Sequence, residues 1–111
     1  MIDVSDHVIE FGDLTINLVG GQICRNGQDI KFSKIEFAIF MRLLTNYPSA
    51  VGRQDLVSLL STQKIKSHRT VDVHIHRMRS KLLKNQSNVT IRTVHKKGYY
   101  LTVKDKENHN E

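Results

Sequence analysis

Cysteine occurs once in this 111-residue chain, proline once and tryptophan not at all. The single cysteine, Cys24, excludes an intramolecular disulfide framework and any zinc site built on clustered cysteines. Cys24 is expected to be a small residue on a strand, in a protein working in the reducing cytoplasm. No apolar run approaches the roughly 18–20 residues of a transmembrane helix, and there is no hydrophobic signal segment, so no membrane partner is expected. A glycine-rich phosphate loop, a Ser/His/acid or Cys/His arrangement and an acidic pair with reason to cluster are also missing. The chain is therefore not expected to be an enzyme or to carry a cofactor.

Charge is present in quantity and unevenly placed. The whole chain is +6, but residues 1–51 hold four basic and six acidic groups, a net of −2. Residues 52–104 hold twelve basic and two acidic groups, a net of +10. A positive field concentrated on one half of a small domain is the electrostatic footprint of a polyanion binder.

The stretch from Arg69 to Lys84 shows what that field serves. At about 100° per residue, Val71, Ile75, Met78 and Leu82 fall on one apolar stripe that must dock on a core. Opposite lie Val73, His76, Arg77, Ser80 and Lys84, flanked by Arg69, Arg79 and Lys81. Such a face offers cations for phosphates, a guanidinium that can reach guanine O6 and N7, and a methyl-bearing side chain for thymine. A zinc site at His74 and His76 is not expected, because side chains at i and i+2 diverge by about 200° on a helix.

The remaining elements supply a scaffold for this helix. Short strands are expected at Val8–Phe11, Leu14–Leu18 and Gln22–Arg25, with a tight hairpin turn at Asn26-Gly27. Ser33-Lys-Ile-Glu36 is a capping box opening a helix of about Lys34 to Thr45. That helix is apolar around nearly its whole circumference, so it should lie between the sheet and the other helices. A second helix runs from about Arg53 to Ser61, with Gly52 as an acceptable N-cap. Val89–His95 and Tyr99–Val103 form a hairpin around a cationic tip. Gly98 is expected to make its turn, and Tyr99 to pack beneath it. The pattern predicts an α+β fold, a winged helix-turn-helix with an N-terminal antiparallel β-sheet, three helices and a C-terminal β-hairpin wing. Residues 1–7 would be an arm or linker remnant, 8–103 the domain and 104–111 a polar tail.

Arg69-Thr-Val-Asp-Val-His-Ile-His-Arg-Met-Arg-Ser-Lys-Leu82, together with Ile91-Arg-Thr-Val-His-Lys-Lys-Gly-Tyr99, resembles the DNA-binding effector domain of bacterial OmpR/PhoB-type response regulators. Ser33-Lys-Ile-Glu-Phe37, Val51-Gly-Arg53 and Phe11-Gly-Asp-Leu-Thr15 extend the resemblance to roughly residues 8–103. It implies a four-stranded N-terminal sheet and sequence-specific double-stranded DNA binding for transcription regulation, with two domains bound head to tail on direct-repeat half-sites. It assigns base reading to Val73, His76 and Arg77, with Arg79 at the base or backbone boundary. It assigns phosphate contact to Arg53, Arg69, Thr70, His74 and Thr93; Ser80, Lys81 and Lys84 are expected at the backbone too. Where the family usually has arginine and then glycine before the wing tip, this chain has His95 and Lys96, so the wing is expected to use His95, Lys96 and Lys97 instead. The loop 61–68 is about one residue shorter than usual and lacks the family's tryptophan; in several relatives it contacts RNA polymerase. The receiver domain of such regulators would need roughly another hundred residues. The chain is thus expected to be either an effector domain or a stand-alone regulator. The competing reading from the residues is a winged-helix interaction module whose basic face binds an acidic protein.

Overall fold

A computed structural model of the chain describes residues 3–5, 7–63 and 67–104. Five antiparallel strands in meander order open the fold: β1 (Asp3–Ser5), β2 (Val8–Phe11), β3 (Leu14–Asn17), β4 (Gln22–Arg25) and β5 (Gln28–Ile30). The four strands expected are β2–β5, and Asp3–Ser5 adds a fifth at the edge by pairing with Val8–Glu10. Asn26 and Gly27, at φ 52° and 79°, turn β4 into β5, both left-handed as a tight hairpin turn requires. β3 ends one residue sooner than the alternation of Leu14, Ile16 and Leu18 predicts. The Asn17 side chain accepts hydrogen bonds from the Val19 and Gly20 amides, which bends the chain and leaves Leu18 exposed.

Three helices follow, α1 (Lys34–Thr45), α2 (Arg53–Leu59) and α3 (His68–Lys84), with a 3-10 turn at Ser61–Gln63. The capping box forms: Ser33 Oγ accepts from the Glu36 amide, and Glu36 Oε1 accepts from the Ser33 amide at 2.9 Å. α2 stops two residues short of Ser61 because Leu60 already takes up the cap conformation. α3 begins one residue earlier than expected, at a cap supplied by Ser67. The wing consists of β6 (Val89–Val94) and β7 (Gly98–Val103), paired antiparallel from Val89↔Val103 to Val94↔Gly98.

One core joins these parts. Phe11, Leu14, Ile16, Ile23 and Ile30 cover the inner face of the sheet; Ile39, Phe40, Leu43 and Leu44 of α1 are buried with them. Ile35, Phe37 and Met41 are only partly buried, so α1 is covered less completely than its composition predicts. All four stripe residues of α3 are fully buried, each stabilising the fold by about 1.5–3 kcal/mol relative to exposure. Val51, leading into α2, pairs with Tyr99 of the wing and ties β7 to the helices. A polar cluster secures the far end of α3. Asp13 accepts from Arg25 Nε at 2.7 Å, Ser87 Oγ at 2.7 Å and the Asn88 amide at 2.9 Å. Burial works to raise the Asp13 pKa, but these three hydrogen bonds and the Arg25 charge outweigh it and hold the carboxyl below its ordinary range. The turn after α3 is thereby fixed to the N-terminal sheet.

Candidate nucleic-acid interface

α3 is a helix anchored from beneath and left open above. Ser67 Oγ accepts from the Thr70 amide at 3.2 Å and lies 3.0 Å from Thr70 Oγ1, closing the N-terminus. Lys81 and Lys84 in the last turn complement the negative end of the helix dipole. With Val71, Ile75, Met78 and Leu82 buried, the opposite row of Val73, His76, Arg77, Ser80 and Lys84 faces outward. Val73 is 42 % exposed, unusual for a valine on a packed helix and suited to a methyl contact. His76, Arg77, Ser80, Lys81 and Lys84 line a shallow depression along this surface, and Arg69 is exposed near its start.

The two flanks of α3 do different work from the one the sequence implies. Arg79, expected at the base or backbone boundary, is committed to the wing: Nε donates to the Ile91 carbonyl at 2.6 Å and Nη2 to Thr93 Oγ1 at 2.5 Å. Its guanidinium also lies 5.6 Å from the centre of the Tyr99 ring. Thr93 accepts from Arg79 and keeps its own hydroxyl proton for another acceptor. Arg79→Ala should therefore loosen the wing, lowering unfolding free energy by about 1–3 kcal/mol in urea titrations. A variant as stable as the wild type would count against this role.

On the other flank, Lys81, expected at a phosphate, instead donates to Glu36 Oε1 at 2.6 Å and to the Lys31 carbonyl at 2.7 Å. His74, also expected at the backbone, is turned inward and only 13 % exposed, its Nδ1 3.9 Å from Glu36 Oε2. Lys81 is drawn in by Glu36, which is almost wholly buried and accepts its hydrogen bond, whereas His74 Nδ1 is buried with no hydrogen-bond partner among the described residues.

Arg53, at the start of α2, donates through Nε and Nη2 to Asp72 of α3, and the Tyr99 hydroxyl donates to the same carboxylate. Burial tends to raise the Asp72 pKa, but the hydrogen bonds from Arg53 and Tyr99 and the charges of Arg53 and His68 bring it below its ordinary value. The Asp72 hydrogen bond, followed by opposing desolvation and the Asp72 charge, leaves the Arg53 pKa raised. Gly52, Arg53, Gln54, His68, Lys96 and Lys97 line a cationic cleft where α2, the start of α3 and the wing tip meet. His95, Lys96 and Lys97 are exposed at that tip, with Lys96 at φ 64° in the left-handed region. The loop 61–68 falls partly outside the described residues, as does the tail beyond Lys104.

Among the described residues, no helix is long and apolar enough to cross a membrane. A family model described as "Transcriptional regulatory protein, C terminal" matches residues 27–101. The chain is 31 % identical over 98 residues to the TorCAD operon transcriptional regulatory protein TorR of Escherichia coli K12, a match covering 86 % of this chain and 41 % of TorR. It is 34 % identical over 95 residues to the transcriptional regulatory protein BasR of the same strain, covering 85 % of this chain and 41 % of BasR. It thus spans about two-fifths of the length of these relatives. Among solved structures, the Klebsiella pneumoniae RstA DNA-binding domain, in complex with the RstA box, superposes with a TM-score of 0.73 at 31 % identity. That match covers 87 % of this chain and 98 % of the RstA domain. A five-stranded meander, three helices with a basic outward face and a hairpin wing, matched in sequence and in shape, place this chain in the transcriptional regulatory protein C-terminal family, the OmpR/PhoB-type winged-helix DNA-binding domains of response regulators.

Proposed function

We propose that the chain regulates transcription by binding double-stranded DNA with sequence preference, α3 lying in the major groove and the wing alongside the backbone. The outward row of Val73, His76, Arg77, Ser80 and Lys84, held rigidly by the buried stripe beneath it, carries this reading. Val73, His76 and Arg77 read base edges. Arg69, Thr70, Ser80, Lys84, Thr93 and one edge of Arg53 take phosphates, and Lys96 and Lys97 follow the backbone beside the wing. Two copies occupy direct-repeat half-sites, and the loop 61–68 is the segment offered to RNA polymerase.

Selection from a pool of randomised duplexes at physiological salt tests the proposal. Enrichment of a motif, especially a direct repeat spaced by about one helical turn, supports it. Retention without enrichment would favour a generic cationic face serving an acidic protein partner. On the enriched duplex, Arg77→Ala should cost about 1–3 kcal/mol and relax preference at one base position. Lys84→Ala should weaken binding to all sequences and reduce the salt slope by about 1. Equal losses for Arg77→Ala on enriched and shuffled DNA would remove Arg77 from the base-reading set.

A further inference from the structure

Asp72 is a carboxylate set into a surface built for a polyanion. Residues 52–104 contain only two acidic groups, and the other, Asp55, is turned toward Arg42 of α1 at 2.9 Å. Asp72 stands instead beside Val73, at the edge of the cationic cleft lined by Arg53, His68, Lys96 and Lys97. Neither it nor Arg53 is buried: their side chains are 32 % and 40 % exposed. A negative charge there opposes any phosphate that approaches, so a fold serving affinity alone would place a neutral residue at this point.

From this arrangement we infer that Asp72 is a positioning residue that sharpens sequence selectivity, by neutralising and aiming Arg53 until a duplex is fully docked. The inference rests on the DNA-binding reading above. Asp72 occupies the Nε and Nη2 edge of the Arg53 guanidinium and leaves Nη1 to meet a phosphate from one direction. A duplex held loosely, with its backbone out of register, meets a nearly neutral pair. A duplex seated on α3 brings a phosphate onto the remaining edge, where the geometry of the guanidinium fork compensates for the nearby carboxylate. The Tyr99 hydroxyl, bonded to the same carboxylate, places the wing in register with both groups. The carboxylate thus weakens wrong complexes more than right ones, which is how a repulsive element contributes specificity.

The test uses the 111-residue chain with two probes, a duplex carrying the motif enriched by selection and a composition-matched shuffled duplex. Asp72→Asn keeps the shape and can still accept from Tyr99, but it removes the charge. On the shuffled duplex it should bind more tightly than wild type, with a salt slope steeper by about 0.9, the value for one further phosphate contact. The ratio of enriched to shuffled affinity should fall, and by about 3-fold more at about 50 mM than at about 200 mM salt, the salt-dependent weight of one such contact. Asp72→Glu, which keeps the charge, should retain the shallower slope. Tyr99→Phe, which leaves the carboxylate in place, should do the same while loosening the wing. If Asp72→Asn and Tyr99→Phe weaken both duplexes by one common factor, Asp72 is only a structural tie and the inference is overturned. Thermal melts of each variant separate that case from a failure to fold, and Asp72→Ser, which also removes the charge, carries the comparison should Asp72→Asn not fold. If wild type enriches no motif, the DNA-reading proposal fails first and leaves Asp72 no selectivity to sharpen; an enriched motif with an unchanged ratio in Asp72→Asn overturns the Asp72 inference alone.

Discussion

Replacing Gly98 with alanine is expected to detach the wing from the helices and to cost the domain about 3–5 kcal/mol. Gly98 sits at φ 142°, and a Cβ built there would lie 1.9 Å from the Val51 carbonyl oxygen, 2.7 Å from its carbon and 2.9 Å from Gly52 Cα. All three are backbone atoms, so no side-chain rotation relieves the overlap. The chain leading into α2 and the first residue of β7 must separate. That separation removes the Val51 amide bond to the Tyr99 carbonyl at 2.8 Å and the reciprocal bond at 3.0 Å. Two lost hydrogen bonds at about 1 kcal/mol each, with about 1–3 kcal/mol for the forced backbone, give the expected magnitude. Tyr99 would then no longer reach Asp72, and the cationic cleft between α2 and the wing tip would open. Urea titration gives the stability, and amide exchange at Val51 and Tyr99 shows whether the bridge has parted. A melting temperature within about 2 °C of wild type, with both amides still protected, would show that the backbone absorbs the methyl group.

The sequence revealed the centre of α3 more fully than its flanks. The stripe of Val71, Ile75, Met78 and Leu82 follows from helical periodicity, and all four residues are buried. The outward row of Val73, His76, Arg77, Ser80 and Lys84 follows from the same wheel. Asp72 and Arg79 lie about 70–90° from the centre of the stripe on one side, and His74 and Lys81 about 70–90° on the other. At such angles a side chain can face solvent or a neighbouring element, and periodicity does not say which. The wing claims Arg79 through the Ile91 carbonyl, and the segment before α1 claims Lys81 through the Lys31 carbonyl beside the Glu36 carboxylate; such backbone carbonyls leave no trace in the pattern of residue types. A short element is similarly hidden. Asp3–Ser5 is a three-residue strand, too short for alternation to register, and it exists because β2 offers it a partner. The Ser67 cap is less legible than that of α1, because Ser67-His-Arg-Thr70 contains the capping hydroxyl but lacks the glutamate or glutamine that completes a capping box.

Glu36→Gln is expected to remove about 2–3 kcal/mol near neutral pH and almost nothing in strong acid. Glu36 is only 2 % exposed, yet it serves two helices. Its Oε1 accepts from the Ser33 amide, which closes the start of α1, and from Lys81, which fastens the middle of α3 to that start. Glutamine preserves the local cap, since the capping box accepts either residue, so the loss reports the tie to Lys81. Lys81 retains access to water, and the cost therefore stays below that of breaking a fully buried pair. Burial pushes the Glu36 pKa upward, but the Lys81 hydrogen bond, the Ser33 amide and the charges of Lys81 and His74 overcome this and hold it below its ordinary 4.5. A carboxyl whose pKa is lower folded than unfolded contributes stability that is complete above the unfolded value and is lost as pH falls through the folded one. The gap in stability between wild type and Glu36→Gln should accordingly be open above about pH 5 and close progressively below about pH 4.5. Asp13, whose pKa is also lowered, titrates in both proteins and cancels from the difference. Urea titrations across this range provide the check, and a gap that persists undiminished near pH 3 would show that charge on Glu36 is not what joins α1 to α3. Because Lys81 lies one helical turn beyond Arg77, the same variant should also blunt discrimination between enriched and shuffled duplexes, since the angle at which Arg77 meets a base depends on how firmly α3 is held.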